Sequence, residues 1–118
     1  MCPTRSRLAG FVYVWEYRVK AGCEPDFEEM YGPDGDWARF FGRSSEYLGT
    51  TLLRDRDRSS RYLTVDRWTS REPHTALVAE NRDEFDALDL LGDSLTESEQ
   101  QIGDFGEAGC ETGSDRST

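Results

Sequence analysis

The stretch YLTVDRWTSREPH, residues 62–74, decides the fold. Its first seven residues alternate, with Tyr62, Thr64, Asp66 and Trp68 on one side and Leu63, Val65 and Arg67 on the other, which is the period of a β-strand. Ser70 then offers a helix N-cap, and Pro73 is tolerated in a first turn because amide groups there have no helical acceptor. The junction carries the only histidine of the chain, His74. Whether Asp66, Trp68 and His74 build a site or only a seam depends on which side of the strand faces the helices.

Working outward, the polar run 56–60 reads as a hairpin turn, and YLGTTLLRD at 47–55 as the antiparallel mate of 61–68. FVYVWEYRV at 11–19 alternates so that Phe11, Tyr13, Trp15, Tyr17 and Val19 share one face, yet Val12 and Val14 make the other face apolar too. Such a strand is buried on both sides, by helices on one and a second subunit on the other. EPDFEEMY spaces Phe27, Met30 and Tyr31 as one helix face with acids in its first turn, and Trp37, Phe40 and Phe41 repeat the spacing after Gly32-Pro33-Asp34-Gly35. This predicts a helix broken or kinked in its middle. A second helix is expected from Ser70 to about Leu91, ending at Gly92. Thr96 and Glu99 have capping-box spacing and predict a short helix before a last strand near 101–105. The order is that of a ferredoxin-like α+β domain, βαββαβ, with an antiparallel sheet and helices on one face. It is expected over residues 10–106, between a flexible arm at 1–9 and a disordered tail at 107–118.

At 118 residues the chain suits one domain, and three Trp, five Tyr and six Phe supply a small aromatic core despite a hydrophobic fraction of 36%. A core of this size leaves much surface in water, so a homodimer through the sheet face is expected. The formal charge of −10, with 24 acidic residues spread along the chain, repels phosphate backbones and anionic lipid. No nucleic-acid or membrane partner is expected. No segment reads as a signal peptide or spans a bilayer, and Cys2, Cys23 and Cys110 match neither a disulfide framework nor a zinc knuckle, so the expected location is the cytoplasm. One His and scattered Cys make no standard zinc or haem-thiolate site, and no Gly-rich loop cradles phosphate. Asp55 and Asp57 fit a solvated turn better than a cation, so no metal is expected.

On the second helix, His74, Leu77, Val78, Asn81, Phe85 and Leu88 form one stripe, which turns two polar groups inward. In one reading His74 lies at a helix end beside solvent and Asn81 satisfies a loose backbone group. In the other, both line a cavity with Asp66 and Trp68. Trp15, Tyr17, Tyr31, Trp37 and Phe41 likewise serve either as core or as the lining for a flat apolar substrate. An open pocket of roughly 300 Å³ or more touching His74 would favour a site.

The stretches YVWEYRVKAG, YGPDGDWARFF, YLGTTLLRDRD and RYLTVDRWTSRE resemble the antibiotic biosynthesis monooxygenase family of the dimeric α+β barrel superfamily. The similarity covers roughly residues 11–106, with Trp68-Thr69-Ser70 its most recognisable mark. The resemblance implies a cofactor-independent monooxygenase of aromatic polyketide-like or phenolic molecules, a non-catalytic binding or accessory dimer, or a haem-degrading enzyme. In the phenol oxygenases an Asn four residues before the Trp and a Tyr six after it serve the site, positions held here by Thr64 and His74. In the oxygenase reading no cofactor is needed: His74 is the base, assisted by Asp66, Trp68 and Trp37 form an aromatic wall, and Thr64 and Asn81 hold substrate oxygens. The axial His of haem-degrading relatives would fall in the later half of the second helix, where this chain has Glu84, Phe85, Asp86 and Ala87.

Overall fold

The computed structural model describes residues 9–108. The elements run β1 (Phe11–Val19), α1 (Glu24–Tyr31), α2 (Asp36–Phe41), β2 (Tyr47–Arg54), β3 (Arg61–Trp68), α3 (Arg71–Glu80), α4 (Arg82–Asp93) and β4 (Thr96–Phe105). The four strands form one antiparallel sheet in the order β2-β3-β1-β4. The pairs α1/α2 and α3/α4 each fill one helix position of the βαββαβ pattern, giving the expected ferredoxin-like α+β fold.

Tyr62, Thr64, Asp66 and Trp68 are buried, whereas Leu63, Val65 and Arg67 are only half-buried, so the first set is the side of β3 that faces the helices. On β1 the alternation resolves the same way, with Tyr13 and Tyr17 inside beside Phe27, Met30, Tyr31, Phe40 and Phe41 from α1 and α2. Phe27 is fully buried in contact with Tyr31 and Tyr62; withdrawing a side chain of that size from water is worth about 3 kcal/mol. The opposite side of the sheet carries Val12, Val14, Leu63, Val65, Leu53 and Phe105, all half-buried or exposed.

The expected break in the first helix lies at Gly32–Gly35. Only glycine fits at Gly35, where a Cβ would stand 2.3 Å from the Glu29 carbonyl oxygen and 2.4 Å from that of Met30. The hairpin turn after β2 is held by Asp55, whose Oδ1 accepts the amides of Asp57 (2.7 Å) and Arg58 (3.0 Å). That is a local side-chain turn.

Two expectations are corrected. The second helix is not continuous: it breaks at Asn81 (φ −130°, ψ 44°), whose Nδ2 donates to the Leu77 carbonyl at 2.9 Å. The apolar period runs across the break because Leu77, Phe85 and Leu88 pack on the same core, while Asn bonds its own backbone and is a poor interior helix residue. Thr96 does not cap a helix but opens β4, pairing with Val19, and Glu99 pairs with Tyr17. A mostly exposed edge strand, TESEQQIGDF, lacks the apolar alternation by which strands are recognised. At the domain ends, Ala9 is 2% exposed and its amide donates to Glu107 Oε1 at 2.8 Å, while the Glu107 amide donates to the Ala9 carbonyl at 2.8 Å. The rest of the expected arm and tail, with Cys2 and Cys110, lies outside the described residues.

Candidate functional site

Three adjacent strands, β2, β3 and β1, place their polar groups in one row. Asp66 on β3 is paired with Tyr13 on β1 and with Thr50 on β2, so three side chains of the helix-facing side stand next to one another. Thr50 reaches that row because β2 carries a bulge. Tyr47 pairs with Trp68 and Gly49 with Arg67, leaving Leu48 as the extra residue, and Gly49 adopts φ +131°, a conformation that L side chains rarely take. Without the bulge, positions three apart would face opposite sides; with it, Tyr47 and Thr50 both face inward and their hydroxyls are hydrogen-bonded. Thr50 Oγ1 donates to Asp66 Oδ1, and since a hydroxyl has one proton, Tyr47 is then the donor to Thr50.

Asp66 is 7% exposed, and burial raises its pKa from 3.8 to about 6, partly offset by the Thr50 hydrogen bond and Arg67. Among the described residues no hydrogen-bond partner reaches its Oδ2. His74, one turn into α3, behaves oppositely. Burial, with Arg71 nearby, lowers its pKa to about 4, so the imidazole is neutral near pH 7. Its Nε2 is hydrogen-bonded at 2.8 Å to the hydroxyl of Tyr13, whose own pKa is raised well above 10 by burial and then by Asp66. The pair therefore shares a proton without net charge. Burial also pushes the Tyr47 phenol up to about 12.

Above this row lies a cavity of about 160 Å³. His74, Asp66, Thr64, Trp37, Tyr31 and Phe41 line it, as does Trp15. Trp68 stands behind the wall: it is fully buried, with its ring 5.2 Å from that of His74, and its Nε1 has no hydrogen-bond partner. Asn81 is not brought to the cavity. Its amide serves the α3–α4 joint, where Arg43 Nη1 lies 3.4 Å from Asn81 Oδ1 and 2.8 Å from Glu84 Oε1. Asp66 and His74 share no hydrogen bond; the hydrogen-bond partner of His74 is Tyr13 and that of Asp66 is Thr50.

Sequence reasoning missed Tyr13 and Thr50 as site residues, and also Asp89 and Glu99, which line the same cavity. Gly49 inside a strand was the signal for Thr50, since such glycines often mark bulges. Asp89, Asp93 and Glu99 bring carboxylate oxygens within 4.8 Å of one another. Burial, then Asp93, raises the pKa of both Asp89 and Glu99.

No protein-family model matches the sequence, and no curated protein does. Solved structures do. SnoaB, a cofactor-independent oxygenase from Streptomyces nogalater, is 22% identical and aligns over 93% of this chain and 96% of its own, with a TM-score of 0.68. A proposed antibiotic biosynthesis monooxygenase from Bordetella bronchiseptica is 21% identical over 84% of this chain and 98% of its own (TM-score 0.63). A NIPSNAP family protein from Agrobacterium tumefaciens is 13% identical over 91% and 93% (TM-score 0.63). The chain thus has the ferredoxin-like α+β fold of the antibiotic biosynthesis monooxygenases.

Proposed function

We propose that the protein is a cofactor-independent monooxygenase acting on a phenolic aromatic molecule, with Asp66 as its base. The observation that carries this reading is a buried carboxylate of pKa about 6, with Oδ2 unpartnered in an aromatic-lined cavity. A base poised near working pH is the most effective kind. Oδ2 takes a proton from the substrate, and the electron-rich carbanion or phenolate reduces oxygen directly. For an anthrone-like methylene, a C–O bond forms to give a peroxide, the O–O bond breaks, and both methylene hydrogens leave in the water released. One oxygen atom stays as a ketone, and all four electrons come from the substrate carbon. Thr64 and the Tyr13 hydroxyl hold substrate oxygens, while Trp15, Trp37 and Phe41 grip the ring faces. Asn81 has no part in binding.

The role of His74 changes accordingly. An imidazole of pKa about 4 is a weak base, and its task here is to orient Tyr13. His74→Gln keeps an acceptor for that hydroxyl, so turnover should fall by about tenfold or less, whereas loss of a general base costs about a hundredfold or more. Oxygen uptake by metal-free protein with an anthrone-like phenol checks both points. No uptake across a panel of such phenols would remove the oxygenase reading, and a hundredfold fall in His74→Gln would return the base role to His74.

The cavity is about half the volume looked for. A dry cavity of about 150 Å³ holds one benzene ring, so one substrate ring enters and the remainder extends past the mouth. The same small volume favours a second reading, a non-catalytic binding or accessory protein of this fold. Haem degradation finds no support, because His74 Nε2 is bound to Tyr13 and the void is far too small for a porphyrin. The uncovered apolar sheet face supports a homodimer; a monomer by light scattering at micromolar concentration would exclude it. Among the described residues no helix is long and apolar enough to cross a membrane. Cytoplasmic location is part of the proposal, and a tagged protein fractionating elsewhere would refute it.

A further inference from the structure

The cavity has a polarity that the oxygenase reading does not use. Asp66 from β3, Asp89 from α4 and Glu99 from β4 all line it, with the exposed Asp93 one helical turn after Asp89; Asp66 is paired with Tyr13 and Glu99 with Tyr17, so the two stand at different points along β1. Among the described residues no Lys or Arg lines it, and its one imidazole is held by Tyr13. Arg82, the cation that acts on Asp89, is itself 3.3 Å from Asp86. Carboxylates clustered without a cation cost free energy in the empty protein, and a positively charged ligand relieves it. Two features say which kind of cation. Aromatic faces, those of Trp15, Tyr17, Tyr31 and Trp37, share the lining with the acids, and an organic ammonium is attracted to such faces while a hard metal ion prefers oxygen ligands and water. Independently, Asp66, more than nine-tenths buried, has Oδ1 bonded to Thr50 and presents Oδ2 to the same cavity with no protein donor among the described residues, where a ligand hydroxyl can bond to it.

We infer that the pocket selects an aromatic ligand bearing a phenolic hydroxyl at one end and a protonated amine at the other, the hydroxyl donating to Asp66 Oδ2 and the ammonium seated on Asp89, Asp93 and Glu99. This rests on the cavity being a ligand site, as proposed above, but not on catalysis. Tyr31, which lines the cavity, has its hydroxyl against α4 at Gly92, where a Cβ would stand 2.0 Å from it and shift the ring.

Three phenols that differ in their end group test it by calorimetry with the full-length protein: tyramine (ammonium), tyrosol (hydroxyl) and 4-hydroxyphenylacetate (carboxylate). Tyramine should bind about tenfold more tightly than tyrosol, as charge-assisted hydrogen bonds imply, and 4-hydroxyphenylacetate more weakly still. Asp89→Asn combined with Glu99→Gln should bring tyramine to the affinity of tyrosol. Asp26→Asn combined with Glu29→Gln, which removes the same charge from α1, should leave the preference in place. Equal binding of tyramine and tyrosol would overturn the inference while leaving the cavity a ligand site. No binding by any of the three would overturn both. Magnesium ion that binds without a phenol, displaces tyramine and is lost in the Asp89/Glu99 variant would assign the acids to a metal and likewise overturn it.

Discussion

Asp66→Asn should abolish most oxygen-dependent turnover, by about a hundredfold or more, while making the protein more stable at pH 7.5. Asn keeps an oxygen for the Thr50 hydroxyl, so the row of cross-strand hydrogen bonds survives, but it cannot take a proton. The stability gain follows from the sign of the pKa change. The folded-state value of about 6 lies above the ordinary 3.8, so the folded protein holds this proton more tightly than the unfolded chain does. Stability therefore falls as pH rises from about 4 through 6, by about 3 kcal/mol once the carboxyl is fully ionised. Asn escapes that loss but buries an amide group, leaving a net gain of about 1–3 kcal/mol at pH 7.5 that vanishes near pH 4. Urea denaturation at both pH values reads the stability, and an oxygen electrode reads the turnover. A variant that is inactive and also less stable at pH 7.5 would mean that the carboxylate is a structural group.

The second large effect falls on stability. Trp68→Ala should cost about 3–5 kcal/mol, because the indole is fully buried among the rings of Phe41, Tyr47 and His74, with centroids 5.2–5.5 Å apart. Trp68→Phe should cost about 1 kcal/mol or less: it retains ring packing and removes an N–H that has no hydrogen-bond partner. Chemical denaturation separates the two. If Phe proved as costly as Ala, the indole N–H would hold a partner in solution, which would make Trp68 a polar member of the site instead of its backing wall.

Much of the fold was legible because β3 alternates cleanly. Four alternating residues ending in Trp68, followed by a helix start, mark the strand and the crossover. Its inner side was not legible: packing of Tyr62 and Trp68 against the rings of α1 and α2 sets it, and Ser70 stands at the helix N-cap position without a side-chain cap hydrogen bond. The same alternation on β1 brought Trp15 to the cavity, and the helical spacing of Tyr31, Trp37 and Phe41 brought those rings against it. The errors arose where a different physical rule took over. Asn81 fits the apolar stripe by angle, yet its side chain competes for backbone hydrogen bonds and breaks the helix there. Asp66 and His74 are close in sequence and were read as partners, but the sheet register sets Asp66 beside Tyr13 and Thr50, and Tyr13 takes the imidazole. Register across strands is not written in a local pattern, and neither is the bulge at Gly49 that re-aims Thr50. The acids of α4 and β4 meet only through tertiary packing, since Asp89 and Glu99 lie on separate elements.

The pH dependence of kcat/KM in oxygen consumption tests the role of Asp66 most directly, using a phenolic substrate whose own hydroxyl ionises well above pH 8. The profile reports the free protein's essential base. Expected is a rise through about pH 6 to a plateau, as the Asp66 carboxyl ionises. A plateau that extends unbroken down to about pH 4, following the imidazole of His74, would contradict it.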